Sequence, residues 1–201
     1  MSAQSTIGLP KYGVLLHGTP TALVIENQTG RRIVVTMLRF ETLRGDQYVT
    51  RNVSISNALL SLRDKSPNER RSVPSHGSRA IASEPSEAHM GGTIDRVNLD
   101  GVVFEDGEFV GPDPANQYPI LKAKFDLERQ LYQMALREDL VSLQNIRDGI
   151  TRPSDLPGVH EHLEGHATVL LGVNAAQGTS AMRAMAERGL ATVPVLRRGG
   201  K

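Results

Sequence analysis

The run Gly111-Pro112-Asp113-Pro114 suits neither a helix interior nor a central strand, and the chain on either side of it has a different periodicity. After it, residues 120–147 contain no Gly or Pro and are rich in Leu, Lys, Glu, Gln and Arg, which favour helix. Pro119 suits a first helical turn, where its missing N–H costs nothing, and Gly149 suits a stop. The spacing predicts one helix over 116–149, its stretch from Pro119 to Arg147 about 30 residues and roughly 45 Å long. Ile120, Leu127, Leu131, Met134 and Val141 form one apolar stripe, and Leu121, Phe125, Tyr132, Leu136, Leu140 and Leu143 form another. A helix apolar along two stripes does not stand alone in water; it packs on the β-region, on a partner protein, or on a copy of itself. The candidate interface residues are therefore Leu121, Phe125, Leu127, Leu131, Tyr132, Leu136, Leu140 and Leu143.

Before the break, residues 11–113 read as strands punctuated by turns, after an N-terminal segment at 1–10. Runs at 12–17, 22–26, 32–40, 47–55, 79–83, 94–104 and 108–110 are apolar or β-branched. Asn27-Gln28-Thr29-Gly30 is expected to join two of them as a hairpin, Arg44-Gly45-Asp46 to turn the chain, and Glu105-Asp106-Gly107 to close a second hairpin. In the run 32–40, Val34, Thr36, Leu38 and Phe40 share one face, and Ile33, Val35 and Met37 the other. Apolar residues on both faces imply a central strand covered on both sides. Residues 58–63 read as strand or helical turn, 64–71 as exposed, and 84–92 as a loop. Short strands at this spacing point to a sandwich or open barrel, not a βαβ sheet. Beyond the helix, 150–201 reads as irregular apart from a short helix at 180–188 closed by Gly189.

Composition narrows the function classes. The 201 residues include four Phe, four Tyr and no Trp, so the core is aliphatic and stacking platforms for single-stranded nucleic acid are scarce. With 23 basic against 22 acidic residues, the net charge of +1 argues against a phosphate-backbone binder. No cysteine means no disulfide scaffold, zinc ribbon or thiol nucleophile. No apolar stretch reaches the roughly 20 residues of a membrane span, so a soluble chain is expected. The compartment stays open: cytoplasmic if Met1 is the native start, exported if a leader was removed.

The segment from Val24 to Phe40, with Asn27-Gln28-Thr29-Gly30 between two runs, resembles the opening hairpin of bacterial immunoglobulin-like domains of the FxLYD type. Val73-Pro74-Ser75-His76-Gly77-Ser78 is similar to the turn before a later strand of fibronectin-III-like sandwiches. The resemblance implies an antiparallel immunoglobulin-like β-sandwich over 11–113, followed by the long helix and the irregular C-terminal region. Such domains are usually non-catalytic binding or scaffolding modules.

The metal candidates are His160, His162 and His166. On a helix, His162 and His166 lie four apart on one face, the spacing by which two imidazoles share one ion. On a strand, His160 and His162 share a face instead. The order His-Glu-x-x-His, which places a general base beside zinc, is missing. His76, Glu84, Glu87 and His89 fall on neighbouring loops as a default acid–base pocket. Asp95, Asp100, Glu105, Asp106 and Asp113 lack EF-hand order and read as turn formers. Nucleophile elbows and phosphate loops are absent from the sequence.

Two functions follow from these residues. The first is a non-enzymatic interaction or structural protein, with a β-domain body and a helix that mediates assembly or partner binding. The second is a metal-binding protein or metal-assisted hydrolase that uses a divalent ion at His160, His162 and His166.

Overall fold

The structure, a computed structural model, describes residues 5–19, 22–57, 72–81 and 94–199. The segments read over 58–71 and 84–92 lie outside the described residues, as do Glu84, Glu87 and His89. The chain has mixed β and α content and divides into two compact units. Described residues up to 115, together with 198 and 199, form a β-unit, and residues 116–197 form a helical unit.

The strands of the β-unit are β1 (Ser5–Ile7), β2 (Val14–Thr19), β3 (Ala22–Asn27), β4 (Ile33–Arg44), β5 (Gln47–Asn57), β6 (Gly77–Ile81), β7 (Arg96–Phe104), β8 (Glu108–Val110) and β9 (Arg197–Arg198). One sheet has the order β2-β3-β6; the other runs β5-β4-β7-β8-β9, with β1 paired in parallel to β7. Val14, Leu16, Leu23 and Ile25 of the smaller sheet share a buried core with Leu38, Phe40, Val97, Leu99, Val102 and Phe104 of the larger one. Val35, Met37 and Val103, on the remaining positions of β4 and β7, are also buried, so β4 is covered on both faces. Register shifts between Ile33 and Val35 and between Met37 and Leu38 bring Ile33 into the same core as Leu38 and Phe40.

Two turns form where the glycines sit. Gly45 (φ 60) lies in the tight β4–β5 connection and Gly107 (φ 86) in the β7–β8 connection. The third expected turn does something else. β3 and β4 do not pair: β3 pairs with β2 and β6, and β4 with β5 and β7. The segment from Asn27 is therefore an arch between sheets, not a hairpin. Asn27, 1% exposed, holds it. Its Oδ1 accepts from Thr29 N (3.0 Å) and Thr29 Oγ1 (2.7 Å), while its Nδ2 donates to Arg31 O (2.7 Å) and Pro74 O (2.9 Å). A side chain that satisfies four backbone and hydroxyl groups here replaces the ladder bonds a hairpin would have made.

Buried charges lie on β4 and β7. Glu41 (2% exposed) pairs with Arg39 and with Arg96 Nε (2.7 Å), and accepts from Asn98 Nδ2 (2.9 Å). Arg39 Nε also bonds Asp100 Oδ2 at 2.8 Å, and burial together with nearby Asp113 raises the Asp100 carboxyl while Arg39 opposes the rise.

The helical unit contains α1 (Gln117–Leu136), α2 (Leu140–Arg147), α3 (Val159–Gln177) and α4 (Thr179–Thr192). The single helix expected over 116–149 is thus two. Glu138 takes a left-handed φ of 59, and Asp139 caps α2 by accepting from Ser142 N at 3.1 Å. An N-cap aspartate starts a new helix without any Gly or Pro. The region 150–201, expected to be irregular with a helix at 180–188, is mostly α3 and α4. Gly165 and Gly172 sit within α3 with open space where a side chain would be. Gly189 lies inside α4 and does not end it.

Leu121, Phe125, Leu131, Tyr132 and Leu143 are buried in this unit, along with Leu163, Ala167, Leu170, Met182 and Ala186, whereas Leu127, Leu136 and Leu140 are half-buried. The chain's own helices cover most of the two stripes, whereas Val141 of the first is 67% exposed. Among the described residues, no helix is long and apolar enough to cross a membrane.

Candidate metal centre

Among the described residues, the core of the helical unit is apolar except at one place. Along α1, positions 121, 125, 128, 132 and 135 follow the three-and-four spacing of a core-facing stripe, and two of them are Glu128 and Tyr132. Along α3, half-buried His162 and buried His166 lie one turn apart beside buried Leu163 and Ala167. The packing of α1 and α3 brings these four side chains together. Arg129 of α1 donates to the carbonyls of Leu190 (3.1 Å) and Val193 (2.7 Å), which ties α1 to the end of α4.

The distances are short. Tyr132 Oη donates to Glu128 Oε1 at 2.7 Å, and His162 Nε2 lies 3.0 Å from Glu128 Oε2. His166 Nδ1 is 3.4 Å from both Glu128 Oε1 and Tyr132 Oη. The two imidazole centroids are 4.3 Å apart. One ligand atom each from Glu128, His162 and His166 can be chosen so that all lie within 4.8 Å of one another. The Glu128 side chain is 2% exposed and both imidazoles are 10% exposed.

Burial sets the protonation. His166 is pushed down to about 4, first by its removal from water and then by His162, against an opposing pull from Glu128. At neutral pH it is an uncharged imidazole, the form that ligates a metal. Burial, followed by the Glu128 charge and hydrogen bond, raises the Tyr132 phenol far above its ordinary range. The centre thus offers a carboxylate, two ring nitrogens and a phenol in a site closed to bulk water. Donor atoms held about 2.1 Å from one ion at octahedral or tetrahedral angles are roughly 3.0–3.4 Å apart, which is the spacing between Glu128 and the two histidines.

His160 does not join this group. Two residues before His162 on the same helix, it projects from a different face, toward Gly149. Its Nδ1 is buried without a hydrogen-bond partner among the described residues. The sequence marks Tyr132 only as an interface residue and does not mark Glu128, although an acidic residue at a core position of an otherwise apolar stripe is itself a signal.

The acidic residues of the β-unit do not converge in the same way. Asp95 accepts from Thr42 Oγ1 and Leu43 N, Asp106 bonds Arg31, and Asp113 meets Arg198. His76 lines an open pocket with Val24, Glu26, Asn27, Gln28, Gly77 and Ser78. Among the described residues, no other three His, Asp or Glu side chains meet at metal-binding range.

No protein-family model matches the chain, and neither a curated protein nor a solved structure matches it.

Proposed function

We propose that the helical unit binds a transition-metal ion through Glu128, His162 and His166. The observation that carries this is the meeting of two imidazoles and one carboxylate in an apolar core, each residue supplied from a helix face that otherwise buries aliphatic side chains. A buried carboxylate is costly unless paired, and a cation between these three groups would both neutralise Glu128 and use the neutral His166. Two imidazoles and a carboxylate suit zinc, iron or cobalt, not calcium or magnesium. Burial of all three ligands favours a held ion over turnover of a bulky substrate, so metal binding, not hydrolysis, is the function put forward.

For the β-unit we propose an immunoglobulin-like sandwich that serves as an interaction body. The strand order supports it: a three-stranded β2-β3-β6 sheet against β5-β4-β7-β8, with chain crossovers between sheets after β1, β3, β5 and β6, is consistent with a Greek-key sandwich.

The test is a titration of the metal-stripped full chain with Co²⁺ or Zn²⁺, followed by elemental analysis after dialysis. One ion per chain is expected, with visible cobalt absorption. At about 100 times Kd the ion should stabilise the helical unit by about 2.7 kcal/mol. His162→Ala and Glu128→Gln should each weaken binding at least about tenfold, whereas His160→Ala should not. Absence of stoichiometric metal, or equal loss with His160→Ala, would overturn the assignment.

A further inference from the structure

We infer that Tyr132 is a fourth ligand of this centre, and that its phenolate oxygen fits the site for ferric iron. The inference rests on the metal-binding reading above and adds the identity of the ion. Tyr132 Oη is 2.7 Å from Glu128 Oε1 and 3.4 Å from His166 Nδ1, no farther than Glu128 lies from the two histidines (3.0 and 3.4 Å). Its position is enforced from the opposite side by Gly189. A Cβ there would lie within 2.7 Å of Cζ, Cε1 and Cε2, the end of the ring that bears the hydroxyl. A glycine in the middle of α4 costs roughly 1 kcal/mol of helix stability relative to alanine. Here its missing side chain is what lets the phenol reach the cluster.

The donor chemistry selects the ion. Imidazole suits iron as well as zinc, and a carboxylate with a phenolate adds two hard, anionic oxygens that favour a small trivalent ion. With a divalent ion, Glu128 and neutral Tyr132 leave the centre at +1. With Fe(III), loss of the phenol proton gives the same +1. In a low-dielectric core, a site that holds its net charge constant avoids the cost of an extra unpaired charge. The step is ligation alone: the Tyr132 O–H bond breaks, its electron pair forms the Fe(III)–O bond, the proton passes to solvent, and no electron is transferred.

The experiment uses the metal-stripped full chain and ferric nitrilotriacetate as the probe, with Zn²⁺ in parallel. Expected are one Fe(III) per chain, a visible phenolate-to-iron charge-transfer band, and tyrosinate modes in resonance Raman excited within it. Tyr132→Phe keeps the ring and should abolish band and modes. Gly189→Ala, which displaces the ring and keeps the hydroxyl, should weaken the band. A wild-type chain that binds Zn²⁺ and Fe(III) without the band overturns the role of Tyr132 and leaves the three-ligand site standing, as does a band that survives Tyr132→Phe. A wild-type chain that binds neither ion overturns both.

Discussion

Gly189→Ala sets two opposed effects against each other at one helical position. In an exposed helix interior, Gly→Ala gains about 1 kcal/mol because glycine loses more backbone freedom on folding. At Gly189 the new methyl would meet the Tyr132 ring, with three ring carbons within 2.7 Å. Tyr132 is 1% exposed and held by Glu128, so the ring has nowhere to retreat without breaking that bond or shifting α1 against α4. Overpacking of this kind typically costs about 1–3 kcal/mol, and loss of the buried hydrogen bond adds about 1–3 more. The net expectation is destabilisation by roughly 1–5 kcal/mol once the helix gain is subtracted. Gly172→Ala is the matched control: it also lies inside a helix, α3, with nothing within 4 Å of the new Cβ. That variant should gain up to about 1 kcal/mol. Urea denaturation followed by circular dichroism at the helix band reads both, provided the slopes stay equal. If Gly189→Ala is as stable as Gly172→Ala, the ring does not pack where the structure puts it, and the geometry of the centre falls with it.

Further outcomes follow from the same coordinates. His166 has a folded pKa of about 4, below the ordinary 6.5, so the unfolded chain takes up a proton first as pH falls. Its contribution is whole above pH 6.5 and is lost toward pH 4, about 3 kcal/mol in all. Denaturation of the metal-free chain from pH 7 to 4 should show that loss, and His166→Gln should flatten it; equal slopes would refute the burial argument. Arg39→Met leaves Glu41 and Asp100 short of a buried partner and should cost about 3–5 kcal/mol in the β-unit by chemical denaturation. A cost below about 1 kcal/mol, typical of surface pairs, would show the network to be solvated. Asp139→Ala removes the cap of α2 and should lower helicity and speed amide exchange over Leu140–Arg147, with α1 unaffected.

Where a local rule decides, the sequence is readable. Asp106-Gly107 and Gly45-Asp46 mark connections between paired strands because a positive φ is needed there and glycine supplies it without strain. Asn27-Gln28-Thr29-Gly30 has the same composition and a different outcome, because one of the partners of Asn27 is Pro74, 47 residues away, and no window on the sequence contains it. The break after Leu136 hides for another reason: Glu138 adopts a left-handed φ that glycine usually provides, and the next helix starts at the Asp139 cap. For the centre, the four-residue spacing of His162 and His166 was visible as helix periodicity. Glu128 was not, since stripes were traced by apolar residues alone, and Tyr132 was legible only as a packing residue of its stripe.

Strand β9 bears on how the chain is made. Gly199 N donates to Phe109 O at 2.8 Å and Arg198 reaches Asp113 at 3.3 Å, so residues translated after all four helices complete the rim beside β8. During synthesis that rim waits, unfinished, while about 80 residues emerge and fold; the entropic toll of closing so long an excursion rises only logarithmically. Until then the backbone groups of Phe109 offer a vacancy for any passing strand, and the late arginine-bearing stretch is the chain's own means of sealing it.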